Sequence, residues 1–333
     1  MTDTLAARIR QTIDSKTKPL GALGQIETLA ESIALLQETV APVMRNCTLI
    51  LIAGDHGIAL EGVSSFPQVV TGQMMLNFLA RGAAANVFAK VNGVALTVVD
   101  AGVAGDPISH PDLIDRRLGA GTASFLSGPA MSATQAQEAL EHGAGLARAS
   151  VGEALAFGEM GIGNTSTAAA LAHKLTGLPL SELVGRGTGL DDAGVQRKLA
   201  ILTRAAARTG PLTPEQAMAE YGGFEINMIA GAMLETARQR RVVIVDGFIA
   251  TAAALLATKL EPSARKAMVF AHHSHESGHT ALLNELNAQP LLALDMRLGE
   301  GTGALLAWPL LKAAAAMMTD MASFEAAGVS NKD

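Results

Sequence analysis

The chain has 333 residues, of which 49% are hydrophobic and 17% are charged, and this balance excludes an intrinsically disordered protein because disordered chains are polar and highly charged. A formal net charge of −6 and an aromatic content of 3% argue against a nucleic-acid partner, since phosphate backbones require basic surfaces and single strands require aromatic platforms. The single cysteine, Cys47, can form no internal disulfide and is typical of a reducing compartment, so we expect a cytoplasmic protein.

Neither end of the chain predicts a membrane segment. The first twenty residues lack the apolar core of a secretory signal. The apolar stretch 303–318 is shorter than the roughly 20 residues that span a bilayer, and it contains Pro309 and Lys312. We therefore expect a buried helix at 303–318 and no membrane span.

Short apolar runs that end in polar or glycine residues alternate along the chain with Ala-rich helical stretches. This alternation predicts an α/β fold with a Rossmann-like, mostly parallel sheet flanked by helices. Ligands of such sheets bind outside the carboxyl ends of the strands, which is where the polar residues fall. The predicted strands are 49–53, 96–99, 154–157, 242–245, 268–271 and 291–294.

The two termini are predicted to form a second, smaller unit. Residues 1–40 have a helical pattern interrupted by a loop at 16–24. We expect this segment to pack with 304–333 as a small helical domain, beside a large catalytic domain of 41–303.

A glycine-rich turn, GEMGIGNT, precedes a long Ala-rich helix. Gly161, Gly163, Asn164 and Thr165 lie where free backbone N–H groups and the helix dipole favour an anion, so they are predicted to bind a phosphate. The turn lacks the lysine and spacing of a Walker loop. The alternative is that Asn164 or Thr165 simply caps the helix.

A second glycine-rich loop reads GRGTGLDDAG. Its adjacent acids, Asp191 and Asp192, suit a metal or a ribose, but an N-cap with acids in the first helical turn explains them slightly better. We assign Gly187 and Thr188 of this loop to the predicted nucleotide site, together with Asp246 at the end of a predicted strand.

Glu300 lies between two glycines, immediately before the apolar helix at 303–318. Apolar surroundings raise the pKa of a carboxyl group, which suits a general base. The alternative is a solvent-exposed glutamate in a loop.

Residues 275–279 read HESGH and match the HExxH pattern of zinc hydrolases, in which two histidines one helical turn apart bind the metal. Three features argue against zinc: His275 lies at or before the helix start, Gly278 weakens the turn, and no third-ligand signature follows. A solvated strand-to-helix loop explains the segment better.

A non-catalytic nucleotide-binding protein is a further alternative for the whole chain, since it explains the glycine turns.

The ordered set of segments closely resembles one family, the nicotinate-nucleotide–dimethylbenzimidazole phosphoribosyltransferases. The resemblance extends from residue 14 to residue 330, and its most specific segments are DSKTKPLGALG, LIAGDHGIALEGVSSFPQVVTGQM, GEMGIGNTSTAAALAHKLTG, GRGTGLDDAG, GGFEINMIAGAM, VVIVDGFIATAAAL and RLGEGTGALLAWPLL. One departure is at 274–279, where SHESGH replaces the family's more usual SAEPGH and makes the HExxH match coincidental.

The resemblance implies transfer of the phosphoribosyl group of nicotinate mononucleotide to a benzimidazole base, without a cofactor or metal, by a homodimer. It assigns the catalytic base to Glu300 and a second active-site carboxylate to Glu159. It also implies a base-binding region, whose residues are Ser64, Ser65, Phe66, Met74 and Met75. The alternative for Met74 and Met75 is a place in the hydrophobic core, which is the more common role of such residues.

Overall fold

The structure is a computed structural model that describes residues 4–187 and 189–330. Its centre is a six-stranded sheet in the order β3-β2-β1-β4-β5-β6, in which every neighbouring pair is parallel. The predicted Rossmann-like α/β fold is therefore confirmed. The strands are β1 (Cys47–Gly54), β2 (Ala95–Gly102), β3 (Leu113–Asp115), β4 (Ala154–Met160), β5 (Val242–Val245) and β6 (Met268–Phe270).

The observed strands differ from the predicted ones at two places. The strand predicted at 291–294 does not join the main sheet; a shorter strand, β8 (Leu292–Ala293), pairs only with β7 (His272–His273). The edge strand β3 escaped prediction because its three residues are only half-buried or exposed, so it lacks the apolar run that marks a buried strand.

Helices flank the sheet on both faces. In chain order they are α1 (Leu5–Asp14), α2 (Gln25–Leu36), α3 (Val69–Leu79), α4 (Ala84–Asn92), α5 (Ala133–Ala149), α6 (Asn164–Thr176), α7 (Leu180–Leu183), α8 (Asp192–Ala206), α9 (Pro214–Tyr221), α10 (Phe224–Arg238), α11 (Phe248–Leu260), α12 (His279–Glu285), α13 (Thr302–Thr319) and α14 (Phe324–Ala327). Short 3-10 helices occupy Gly57–Glu61 and Pro262–Ala267.

The alternation of side chains along β1 explains the two apolar layers. All eight residues of β1 are buried. Ile50 and Ile52 face the cluster formed mainly with α5, α6, α10 and α11, whereas Leu49 and Leu51 face the cluster formed with α1 to α4 and α13. Successive side chains of a strand point to opposite faces, so a continuous apolar run is the signature of a strand that is covered on both sides.

The structure brings the two termini together on one face of the sheet. Lys16 pairs with Ser323 in an isolated bridge, and its Nζ donates a hydrogen bond of 2.6 Å to the carbonyl of Met321. Helices α1, α2 and α13 share one apolar cluster with the sheet. The division into 41–303 and a terminal helical domain stays a prediction.

Helix α13 is long and apolar enough by length and composition to cross a membrane. It is, however, mostly buried inside the protein, with Trp308 and Leu311 in the apolar cluster against the sheet. A core helix passes the same test, and the prediction of a buried helix at 303–318 is confirmed.

The close packing of α5 against α10 predicts a large loss of stability when a side chain is added at their contact. Gly143 of α5 lies against α10, where an added Cβ would overlap the carbonyl oxygen of Met228, whereas Gly145 on the same helix has open space around it. Gly143→Ala is expected to lower the free energy of unfolding by about 3 kcal/mol through overpacking. The matched control Gly145→Ala is expected to raise it by about 0.5–1 kcal/mol because alanine favours the helix. Denaturant unfolding of both variants measures this, and a loss of stability in Gly145→Ala as large as that in Gly143→Ala would contradict the close crossing.

Candidate active site

The candidate site lies at the carboxyl ends of β1 and β4, where the strand order reverses. Chain connections run outward from this point in both directions, and open α/β sheets bind ligands at such a switch point. The end of β1 contributes Asp55 and His56, the end of β4 contributes Glu159, and the loop before α13 contributes Glu300. The structure therefore brings the sequence-predicted carboxylates Glu159 and Glu300 to the same edge of the sheet.

The turn before α6 is an open helix N-terminus. Its N-cap is Gly163, in the left-handed region with φ of 96°, and no side chain caps the helix. The alternative that Asn164 or Thr165 caps it is therefore wrong. Within the described ranges, the backbone N–H groups of Gly163 and Thr165 donate to no protein acceptor, so they are available to an anion.

Lys198 of α8 completes this turn and was missed by the sequence analysis. Its side chain is 1% exposed, and its Nζ donates to Thr165 Oγ1 at 2.9 Å. Burial lowers the pKa of the Lys198 ammonium to about 8, an effect that the Glu276 carboxylate partly offsets. The sequence does contain a signal for Lys198: it lies four residues before the buried Leu202 and therefore on the same, buried face of α8.

The second glycine loop folds against the first. Lys198, Gly187 and Arg186 line one small cavity together with the turn residues Gly161, Gly163, Asn164 and Thr165. The capping explanation of the two acids is confirmed, since Asp191 accepts a hydrogen bond from the N–H of Gly194 and Asp192 pairs with Arg186. Thr188 lies outside the described residues.

Glu300 is held in an unusual backbone conformation. It has φ of 61° between Gly299 and Gly301, which also have positive φ. Left-handed backbone costs a non-glycine residue about 1 kcal/mol, and such strain is common at functional sites. Glu300 is 5% exposed, so the exposed-loop alternative is wrong.

The contacts of Glu300 suit a proton acceptor. Its Oε2 accepts a hydrogen bond of 3.2 Å from the backbone N–H of Ala85, at the start of α4. Burial raises the pKa of the Glu300 carboxyl, the N–H of Ala85 opposes this shift, and the charge of Asp246 adds to it. A carboxylate with a raised pKa takes up a proton more readily near neutral pH.

The carboxyl group of Glu159 packs against the loop that carries Glu300. A side chain at Gly299 would overlap Glu159 Oε1, so the loop passes directly over this carboxyl group. Asn164 Nδ2 donates to Glu159 Oε2 and thereby links it to the turn before α6. Burial, followed by repulsion from Asp246, Glu225 and Glu300, raises the pKa of Glu159 to about 8.

Asp246 contacts the backbone at the start of α13, next to the loop that carries Glu300. One of its oxygens accepts a hydrogen bond of 2.9 Å from the N–H of Ala304, in the first turn of α13. Burial raises the pKa of Asp246 to about 7, although several backbone N–H groups oppose the shift. In this structure Asp246 positions the start of α13, and its assignment to the nucleotide stays a prediction.

The predicted base-binding residues separate into two groups. Met75 is fully buried in the apolar cluster on one face of the sheet. Met74 is half-buried, Ser65 is exposed and Phe66 is 48% exposed, while Ser64 lines the small cavity at the turn before α6. The residues next to open space are therefore Ser64, Ser65, Phe66 and Met74.

The HESGH segment does not have the geometry of a zinc hydrolase. Helix α12 begins only at His279, so His275 precedes it, and the His275 side chain is exposed while that of His279 is buried. The two nitrogens of His279 are engaged by the N–H of Ser274 and the hydroxyl of Thr251. In residues 4–187 and 189–330, no group of three or more His, Cys, Asp or Glu side chains is placed to hold a metal ion.

The buried acid predicts a pH dependence of stability. The pKa of Glu159 is about 8 in the folded chain against an ordinary value of 4.5. Between these two values the folded state binds a proton that the unfolded state has lost, so the free energy of unfolding falls as the pH rises through the window. Glu159→Gln is expected to flatten the fall of Tm between about pH 5 and 8. Glu138→Gln, on the exposed face of α5, is the control, and an unchanged slope in Glu159→Gln would contradict the assignment.

These features define a class of protein. A parallel α/β sheet holds, at its switch point, an open helix N-terminus with a buried lysine and two buried carboxylates. This arrangement suits an enzyme that acts on a phosphorylated small molecule. The family model described as phosphoribosyltransferase matches residues 1–329.

Relatives and solved structures agree with this class. The chain is 54% identical to the nicotinate-nucleotide–dimethylbenzimidazole phosphoribosyltransferase of Ralstonia nicotianae, over 98% of this chain and 94% of that protein. It is 52% identical to the protein of the same name from Aromatoleum aromaticum, over 98% and 96%. The crystal structure of CobT from Thermus thermophilus superposes with a TM-score of 0.96 at 46% identity, over 98% and 99%. The chain belongs to the nicotinate-nucleotide–dimethylbenzimidazole phosphoribosyltransferase family and is an enzyme that transfers phosphoribosyl groups.

Proposed function

We propose that the enzyme transfers the phosphoribosyl group of nicotinate mononucleotide to 5,6-dimethylbenzimidazole or a related base, giving α-ribazole 5′-phosphate and nicotinate for the nucleotide loop of cobalamin. The observation that carries this proposal is that the open turn before α6, with Lys198, lies beside the buried carboxylates Glu159 and Glu300. The relatives of this chain are named as nicotinate-nucleotide–dimethylbenzimidazole phosphoribosyltransferases.

The phosphate turn holds the donor. The N–H groups of Gly163 and Thr165 and the ammonium of Lys198 bind the 5′-phosphate. A local cradle of donors is needed because the whole chain carries a net charge of −6 and repels anions at long range. Holding both substrates in line provides a large part of the rate acceleration.

Glu300 activates the acceptor. The lone pair of one benzimidazole nitrogen attacks the anomeric carbon, and the positive charge that develops on the ring is relieved when the opposite N–H gives its proton to the Glu300 carboxylate. The bond from the anomeric carbon to the pyridinium nitrogen breaks, and its electron pair returns to that nitrogen. The departing nicotinate ring thus loses its positive charge and needs no general acid. Attack from the opposite face converts the β-linked donor into an α-linked product.

Glu159 stabilises the positive charge that develops on the ribose. The pKa of about 8 in the free enzyme favours the protonated form at neutral pH. A cationic pyridinium bound beside the group favours its ionised form, so the carboxylate forms when the nucleotide binds. Ser64, Ser65, Phe66 and Met74 contact the acceptor base.

Three further properties belong to the proposal. The enzyme acts as a homodimer, as the resemblance to the family implies. It works in the cytoplasm, which its single buried cysteine supports. The segments 1–40 and 304–333 form the small helical domain. Light scattering coupled to size-exclusion chromatography tests the dimer.

The direct test follows nicotinate release from nicotinate mononucleotide, with and without 5,6-dimethylbenzimidazole. Release that requires the base and yields an α-ribosyl phosphate product, identified by chromatography and mass, supports the transferase. Folded protein that releases no nicotinate with benzimidazoles, purines or phenols would contradict it. Base-independent release would indicate a hydrolase instead.

A further inference from the structure

The hydroxyl of Thr71 connects two parts of the site that lie far apart in the chain. Thr71 is fully buried in the first turn of α3. Its Oγ1 lies 2.7 Å from Asp55 Oδ1 at the end of β1, and 3.1 Å from the backbone nitrogen of Ile162. Ile162 is the second residue of the Gly161–Thr165 turn, between Gly161 and Gly163.

The direction of these hydrogen bonds follows from the groups involved. The N–H of Ile162 can only donate, so the Thr71 oxygen accepts from it, and the single hydroxyl proton goes to Asp55 Oδ1. Asp55 Oδ2 accepts a hydrogen bond of 2.8 Å from the N–H of Ala104. Both oxygens of Asp55 are therefore acceptors. The donation to Asp55 makes the Thr71 oxygen a better acceptor for the hydrogen bond from the Ile162 N–H.

We propose that Thr71 is a positioning residue that holds the phosphate-binding turn in place from α3, the helix that also carries Met74. The inference rests on the proposed assignment of the Gly161–Thr165 turn to the phosphate. Because the Ile162 N–H is engaged by Thr71, the turn keeps a shape in which the N–H groups of Gly163 and Thr165 stay free for the anion. Removing the hydroxyl leaves two buried partners unpaired, and the turn relaxes to satisfy them.

The test uses Thr71→Val, which keeps the shape of the side chain but removes the hydroxyl, and Thr71→Ser, which keeps the hydroxyl. KM for nicotinate mononucleotide and the inhibition constant of inorganic phosphate are both expected to rise about tenfold in Thr71→Val, with a smaller change in kcat. Thr71→Ser is expected to stay within about twofold of the parent. If Thr71→Val does not fold, Thr71→Cys replaces it, because a thiol is only a weak donor and acceptor, and changes of the same sign are expected.

Thr48→Val is the matched control for loss of stability. Thr48 is also buried and its hydroxyl donates to the distant carbonyl of Val151, but it lies at the opposite end of β1. It is expected to lower Tm without changing KM or phosphate inhibition. A rise in KM in this control equal to that in Thr71→Val would overturn the proposal, because general destabilisation would then explain the effect.

Lys198→Met tests the assignment of the turn to the phosphate independently of the role of Thr71. If Lys198→Met weakens phosphate inhibition and folded Thr71→Val does not, the inference about Thr71 is overturned while the phosphate site stands. If neither variant weakens it, the assignment of the turn to the phosphate fails. Equal losses in Thr71→Ser and Thr71→Val would also overturn the inference, because the hydroxyl would then be irrelevant.

Discussion

Replacing Glu300 with glutamine is expected to lower kcat by about 10²–10⁴, the usual contribution of a general base, with KM for nicotinate mononucleotide changed by less than about threefold. Glutamine fills the same space and can still accept the hydrogen bond from Ala85, but it cannot take a proton from the acceptor base. Steady-state kinetics with both substrates varied measure the two effects separately. A loss of nucleotide affinity as large as the loss of turnover would contradict the role as a base.

The stability of Glu300 variants provides an independent check. Burial disfavours the charged carboxylate and raises its pKa, so Glu300→Gln is expected to unfold at the same Tm or a higher one near neutral pH. Glu300→Gly also removes the left-handed strain at φ of 61° and is expected to add about 1 kcal/mol of stability, with a loss of turnover like that of Glu300→Gln. A clear loss of stability in both variants would indicate a structural role for this side chain.

Replacing Lys198 with methionine is expected to raise KM for nicotinate mononucleotide by about 10- to 100-fold, the range for a lost hydrogen bond to a charged group. Methionine has a similar length and suits the buried position. The ammonium also loses its proton as the pH passes about 8, so KM of the parent enzyme is expected to rise above that pH. KM profiles from about pH 6 to 9 for both proteins measure this, and the rise is expected to be absent in Lys198→Met.

Lys174→Met is the matched control for Lys198→Met. Lys174 lies on α6 and its ammonium donates to the carbonyl of Ala206, the last residue of α8, and to that of Thr209 just beyond the helix. Its removal is expected to lower Tm and to leave KM unchanged. An equal rise of KM in both variants would show that Lys198 acts through the stability of α8 and not through the phosphate.

The amino-acid sequence by itself determined most of the fold. Five of the six predicted strands lie in the main sheet, because buried parallel strands leave continuous apolar runs that need no tertiary information to recognise. The strand at 291–294 was misplaced because an apolar run does not say which sheet a strand joins. Strand β3 was missed because its half-buried and exposed residues leave no such run. Glu300 and Glu159 were assigned from the resemblance, and Glu300 also from its glycine-flanked position before an apolar helix.

Only the tertiary structure decided which side chains meet at the site. Lys198 reaches Thr165 across 33 residues, and Thr71 reaches Ile162 across 91; local periodicity marks a buried face but does not say what faces it. The sequence likewise left two candidates for the cap of α6, and the fold places neither there, because Asn164 turns to Glu159 and Thr165 to Lys198. Periodicity and turn composition report on neighbours along the chain, whereas a site built at the ends of several strands depends on how those strands are ordered in the sheet.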